Sequence, residues 1–239
     1  MDTNSNQARR VVIGITAHVD AGKTTLAEAM LYRTGRLRKL GRVDHGSAAM
    51  DSHLLERERG ITIFSSQAEL PIGDLEVTLL DTPGHVDFSA EMERTLSVLD
   101  YAILVISGAD GVQAHTRTLW RLLELYRIPT FLFVTKMDFG RCGRGQMMEH
   151  LRHELGEGCV DFTPADRERR MEQLATCRED ALEAYLDGGE VPDALVRQLV
   201  GRRLVFPCWF GTGLKLEGID EFLEGLARYV EPPAYPAAF

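Results

Sequence analysis

The chain has 239 residues and a mass of 26.7 kDa, which at ~150 residues per domain leaves room for one or two domains. Its 44% hydrophobic and 26% charged residues exclude disorder as the dominant state, and its apolar runs, such as Tyr101–Ser107 and Pro129–Val134, fall far short of the ~20 residues that cross a bilayer. Lys+Arg total 27 against 36 Asp+Glu, a net charge of −9, so the chain is a poor general nucleic-acid binder and any RNA contact must be local.

In chain order, Met1–Arg10 is polar and lacks the apolar core of a signal peptide. Val11–Ala17 is a β-branched apolar run and reads as a buried strand. Lys23–Thr34 has helical periodicity, with Leu26, Met30 and Leu31 on one face. Gly35–Gly60 has no sustained period and reads as a long loop. Overlapping it, Arg33–Arg59 carries seven basic and four acidic residues, a positive stretch in an acidic chain. Loops this long are usually functional or mobile. Thr62–Leu70 and Leu75–Leu80 read as a hairpin joined by Pro71-Ile72-Gly73-Asp74. Val86–Leu99 reads as helix, Tyr101–Ser107 as strand, Gln113–Tyr126 as amphipathic helix and Pro129–Val134 as strand. Gly140–Arg203 is charged and mostly helical, too long for one connection, and reads as an insertion. Val205–Phe210 and Ile219–Val230 read as a last strand and a last helix. Strands alternating with helices imply an α/β fold, with a mixed, mostly parallel sheet covered on both faces. Four cysteines, Cys142, Cys159, Cys177 and Cys208, form no C-x-x-C pair and read as reduced thiols of a cytoplasmic protein. His150 and His153 lie three apart on a helix, but no third ligand accompanies them, and the charges of Arg167–Arg170 read as a solvated face.

Four segments carry chemistry. Ala17-His18-Val19-Asp20-Ala21-Gly22-Lys23-Thr24 fits the phosphate-loop pattern except that Ala17 replaces the first Gly, and it lies between a strand and a helix as that pattern requires. Backbone N–H groups of such a loop cradle phosphate oxygens, the helix adds its positive end, Lys23 neutralises the β and γ phosphates, and the Thr24 hydroxyl ligates Mg²⁺. The chain uses 23 Arg and only four Lys (Lys23, Lys39, Lys136, Lys215), and two of the four fall in nucleotide-type motifs. Asp81-Thr82-Pro83-Gly84-His85 follows a strand: Asp81 can hold Mg²⁺ through water, and Gly84 can bring its N–H to a γ-phosphate without Cβ interference. Thr135-Lys136-Met137-Asp138 ends another strand. Asp138 can accept from guanine N1–H and N2–H₂, which adenine does not offer, so this motif selects GTP over ATP. Arg59-Gly60-Ile61-Thr62-Ile63 offers a threonine that can close onto Mg²⁺ and the γ-phosphate and release after hydrolysis.

These segments, in this order, resemble the guanine-nucleotide motifs of the translational GTPases, with the histidine after Asp-Thr-Pro-Gly as the mark of the group. Gly41–Gly46, Asp51–Ile63, Leu96–Asp100 and Asp110–Thr116 resemble its ribosomal protection branch, the tetracycline-resistance relatives of elongation factor G. The likeness runs from about Arg10 to Val230 and is weakest over Cys142–Arg203. It implies a P-loop GTPase domain (G domain) over residues 1–230 with a helical insertion at about 141–204, and a linker at 231–239 leading to absent C-terminal domains. It implies phosphate binding by His18, Val19, Asp20, Ala21, Gly22, Lys23, Thr24, Thr25 and Gly84. Mg²⁺ would be held at Thr24, Thr62 and Asp81, with a monovalent cation beside Asp20. The guanine site would comprise Thr135, Lys136, Asp138, Gly211, Thr212 and Gly213. His85 would be the catalytic residue that orients water, between an apolar gate of Val19 and Ile61. GTP and GDP would be the nucleotides, the ribosome and its RNA the partner of a cytoplasmic monomer, with no membrane. Two positions depart from the family: Thr135 stands where Asn is usual, and Gly211-Thr212-Gly213 where Gly-Ser-Ala is usual, which implies one lost amide contact and a looser backbone at Gly213. An elongation factor G-type translocase domain, or a nucleotide switch with little hydrolysis, stay as alternatives.

Overall fold

Every parallel strand of the sheet ends on the same side of the molecule, and that arrangement positions everything described below. The computed structural model describes residues 9–38, 66–82, 94–139, 142–163 and 167–233. In chain order these hold β1 (Arg9–Ala17), α1 (Lys23–Arg33), β2 (Ser66–Ile72), β3 (Leu75–Asp81), β4 (Tyr101–Ser107), α2 (Ala114–Leu125) and β5 (Thr130–Thr135). They continue with α3 (Arg144–Leu155), β6 (Cys159–Asp161), α4 (Arg167–Cys177), α5 (Glu179–Gly188), α6 (Asp193–Gly201), β7 (Phe206–Phe210) and α7 (Ile219–Tyr229).

The sheet has seven strands among the described residues, in the order β2-β3-β1-β4-β5-β7-β6. Only the β2–β3 pair is antiparallel. β1 is central. The chain leaves it for β3 on one side and later for β4 on the other, the switch point at which open α/β sheets form a crevice beyond the strand ends.

β4 and β5 are buried along their whole length, which is why they read as unbroken apolar runs. Alternate residues feed two cores. Ile103, Val105, Phe131 and Phe133 pack with Leu26 and Met30 of α1, Val196 and Leu199 of α6, and Phe222 and Leu226 of α7. Ala102, Leu104, Ile106 and Leu132 face the other way, onto Leu119 and Leu123 of α2 and Met147 and Leu151 of α3. Helices therefore cover both faces, as the alternation of elements predicts.

The segment between β5 and β7 is helical, as expected, and also supplies β6, an edge strand parallel to β7 with Cys159 opposite Phe206. The hairpin turn is tighter than its sequence implies. Gly73 and Asp74 alone form it, with Gly73 at φ +61°, while Pro71 and Ile72 belong to β2. Of the helix expected over Val86–Leu99, residues 94–96 are helical and 83–93 lie outside the described residues. No helix among the described residues is long and apolar enough to cross a membrane.

Candidate functional site

β1 keeps strand pairing through Ala17, which lies opposite Val105 and is 1% exposed. An alanine at the first position of the motif thus extends the strand into the core and needs no glycine conformation. The backbone then turns sharply. Asp20 has φ +60° and Gly22 has φ +92°. The Ala21 N–H donates to the His18 carbonyl at 3.1 Å and the Leu26 N–H to the Gly22 carbonyl at 2.9 Å, which starts α1. No side chain caps α1, and its first turn holds no acidic residue. The first N–H groups of a helix need external partners. Left without a cap beside a half-buried loop, they suit an anion.

Lys23 is the first residue of that helix and is 9% exposed. Its Nζ lies 2.6 Å from Asp81 Oδ1 at the end of β3, and it also donates to the Thr82 carbonyl. Asp81 is completely buried. Thr82 is held in turn, with Oγ1 donating to the Ile15 carbonyl at 2.8 Å. The second motif is thereby fixed to β1 by hydrogen bonds and to the phosphate loop by an ion pair. His18 and Val19 are half-buried, and the His18 ring stands 5.8 Å from that of His115 on α2. Thr24 and Thr25 are half-buried at the helix start.

β5 delivers the third motif. Thr135 is buried, and its Oγ1 donates to the Ala21 carbonyl at 2.6 Å, with the Ile106 carbonyl farther off at 3.2 Å. A Cβ at Gly22 would come within 3.5 Å of the same Oγ1, so loop and strand end are already in close contact. Lys136, at φ +54°, donates from Nζ to the Asp20 carbonyl at 2.6 Å. Asp138 is more open, with its side chain 31% exposed, and forms an ion pair at 2.9 Å with Lys215 Nζ. Lys215 holds the Asp138 carboxyl below the usual aspartate range, and Asp138 raises the lysine in return.

β7 delivers the fourth segment. The turn at 211–217 is closed by Thr212 N–H to the Glu217 carbonyl (3.0 Å) and Glu217 N–H to the Thr212 carbonyl (3.1 Å), and Gly211 N–H donates to the Val134 carbonyl at 3.0 Å. A Cβ on Gly211 would meet the Glu217 carbonyl oxygen at 2.1 Å. A Cβ on Gly213 would sit 3.0 Å from the Thr25 carbonyl oxygen and from Thr25 Cγ2. The expectation of a looser backbone at Gly213 does not match this packing: the missing methyl is replaced by close approach to α1.

The structure thus brings His18, Val19, Asp20, Ala21, Gly22, Lys23, Thr24, Thr25, Asp81, Thr135, Lys136, Asp138, Gly211, Thr212 and Gly213 to one crevice beyond the ends of β1, β3, β5 and β7. Ile61, Thr62, Gly84 and His85 lie outside the described residues, as do residues 39–65 as a whole. Motif reading missed Lys215. Its one available signal is compositional, because the crevice takes three of the chain's four lysines. His150, on α3, ties that helix to the segment before α2: its Nε2 accepts from the Val112 N–H at 3.1 Å. Of the basic stretch, Arg33 bonds Asp220 and Arg36 lies 3.8 Å from Glu69.

An uncapped helix start, a buried lysine–aspartate pair and an aspartate beyond the end of β5 in the same crevice are the arrangement of a P-loop nucleotide-binding domain. The donor set also fits a magnesium nucleotide: Thr24 and Asp81 present a hydroxyl and a carboxylate beside the phosphate loop. Residues 8–232 match the family model described as "Elongation factor Tu GTP binding domain", and the chain belongs to that family of GTP-binding domains. The oxytetracycline resistance protein of Streptomyces rimosus is 41% identical over 90% of this chain and 36% of its own length. The tetracycline resistance protein TetM of Streptomyces lividans is 39% identical over 95% of this chain and 38% of its own, and TetO of Campylobacter jejuni 35% identical over 90% and 36%. The chain therefore spans little more than a third of these relatives. A crystal structure of a Thermus thermophilus protein superposes with a TM-score of 0.84 at 27% identity, covering 94% of this chain and 41% of that one.

Proposed function

We propose that the chain is the GTP-hydrolysing domain of a ribosome-associated translational GTPase of the tetracycline-resistance protection type. The observation that carries the reading is the junction of Lys23 with Asp81 and Thr82 at the foot of an uncapped α1. The relatives' names supply the tetracycline-resistance role, and the motif after β5 supplies the base preference.

On binding, Lys23 exchanges its present acceptors for phosphate oxygens, and the α1 N–H groups take the phosphates nearest the loop. Thr24, Thr62 and Asp81 are the residues that would hold Mg²⁺, which when bound neutralises charge on the β- and γ-phosphates. Asp138 accepts from guanine N1–H and N2–H₂, and the Gly213 N–H donates to O6. His85 orients the attacking water once a partner positions it, between Val19 and Ile61. Asp20 stands beside a monovalent cation. Catalysis of this kind is positioning and electrostatics, and partner-driven activation in related classes reaches about 10⁵. The isolated chain is accordingly a slow hydrolase that works as a monomer in the cytoplasm, with ribosomal RNA near the factor-binding site as its activating surface.

The test is phosphate release from GTP by the 239-residue chain, with and without ribosomes, beside calorimetry with GDP and ADP. GDP should bind and ADP should not. Ribosomes should accelerate release, and His85→Ala should abolish the acceleration while sparing GDP binding. Equal binding of ADP, or turnover indifferent to both ribosomes and His85→Ala, would refute the reading.

A further inference from the structure

Lys215 belongs to none of the four nucleotide segments, yet its ammonium reaches the carboxylate that reads the base. The contact is with one oxygen, Asp138 Oδ2, at 2.9 Å. An ionised carboxylate offers about four lone-pair sites on two oxygens. Guanine takes one from each oxygen through N1–H and N2–H₂, so a lysine on a single oxygen leaves room for the base. An arginine would not: its planar fork grips both oxygens at once and would close the carboxylate. A chain with 23 arginines and four lysines has a lysine here.

The anchor is firm at both ends. Lys215 projects from the turn closed by the Thr212–Glu217 pair, and Gly213 of that turn lies against Thr25. Asp138 follows Lys136, which is tied to the Asp20 carbonyl. In the GTP-binding reading Gly213 is the residue whose N–H meets O6, so its turn, and Lys215 with it, stands on the O6 side of the base. An ammonium held there by one oxygen of Asp138 has two further N–H donors to spend.

We propose that Lys215 determines guanine specificity: anchored on Asp138, its ammonium donates a hydrogen bond to guanine O6, the position at which adenine presents an amine. The inference rests on the GTP-binding reading above. A guanine gains a charge-assisted bond; an adenine meets an ammonium with its own donor. The residue also offsets the contact that Thr135 cannot supply in place of asparagine.

The experiment is competitive titration of the 239-residue chain with GDP, with the diphosphate of 2-aminopurine riboside, which lacks both O6 and the N1–H and keeps the 2-amine, and with ADP. Lys215→Met should weaken GDP about tenfold, the scale of one hydrogen bond to a charged group, and leave the 2-aminopurine nucleotide unchanged. Lys215→Arg should also weaken GDP, by capping Asp138. With the lysine side chain 57% exposed, the pair contributes little to folding, and both variants should melt close to the parent. GDP binding as tight in Lys215→Met as in the parent, or tighter, would overturn the proposal, and so would an equal loss for both purines. A parent chain that does not prefer GDP over ADP would instead bring down the GTP-binding reading itself.

Discussion

Replacing Lys23 with methionine removes the counter-ion of Asp81 while keeping the length of the side chain. Asp81 is 0% exposed and the lysine ammonium is 2.6 Å away, so the variant must bury a carboxyl beside a thioether. Breaking one partner of a buried pair costs about 3–5 kcal/mol. In a chain of this size a loss of ~1 kcal/mol moves Tm by about 2–4 °C, so Lys23→Met should melt roughly 6–20 °C below the parent. The measurement is thermal unfolding of Lys23→Met, extended to Asp81→Asn and to the double variant. Asp81→Asn alone leaves the ammonium without its carboxylate, and the double variant should recover much of either loss, with a coupling of about 0.5–3 kcal/mol. A Lys23→Met protein that melts within ~2 °C of the parent would show that no buried pair joins the two motifs.

Other consequences concern the base side of the crevice. Thr135→Val keeps shape and removes the donor to the Ala21 carbonyl, so stability should fall by about 1–2 kcal/mol in denaturant titrations, with GDP binding several-fold weaker. Gly211→Ala places a methyl 2.1 Å from the Glu217 carbonyl oxygen and should cost about 1–3 kcal/mol or more, whereas Gly213→Ala, at 3.0 Å from Thr25, should cost less; the two melting temperatures decide this. Asp138 should titrate below the usual aspartate range in carboxyl-detected NMR and move up in Lys215→Met. The pair's contribution to folding is thus present at neutral pH and fades as pH falls through that titration.

The central strands were legible because burial on both faces leaves little but apolar residues, as in Tyr101–Ser107 and Phe131–Val134. Cys159–Asp161 was not. Three residues at an edge, inside a charged stretch, carry no period of their own, and only their register against Phe206–Cys208 makes them a strand. Pro71 misled for a related reason. It reads as a turn residue, but at the edge of the sheet in β2, paired with Glu76, its missing N–H costs the sheet nothing. In the crevice, Lys23, Asp81 and Asp138 were legible because each sits where a strand ends within a short motif. Lys215 has no local pattern, and its role exists only because one turn folds back onto another strand's end.

The same folding-back brings Thr135 and Gly213 to one loop. Thr135 reaches the phosphate loop through a single hydroxyl, at Ala21. The segments after β5 and β7 have three further ties: Lys136 on the Asp20 carbonyl, Gly213 against Thr25 without a methyl between them, and Gly211 N–H on Val134. Two of these end on residues 20 and 25, which bracket the start of α1. These segments and the loop before α1 therefore form one connected body, in which a methyl added at Gly213 presses directly on the start of α1. Restoring alanine at 213 and asparagine at 135 singly should each disturb that body, because the glycine and the threonine are fitted to the same loop from opposite sides.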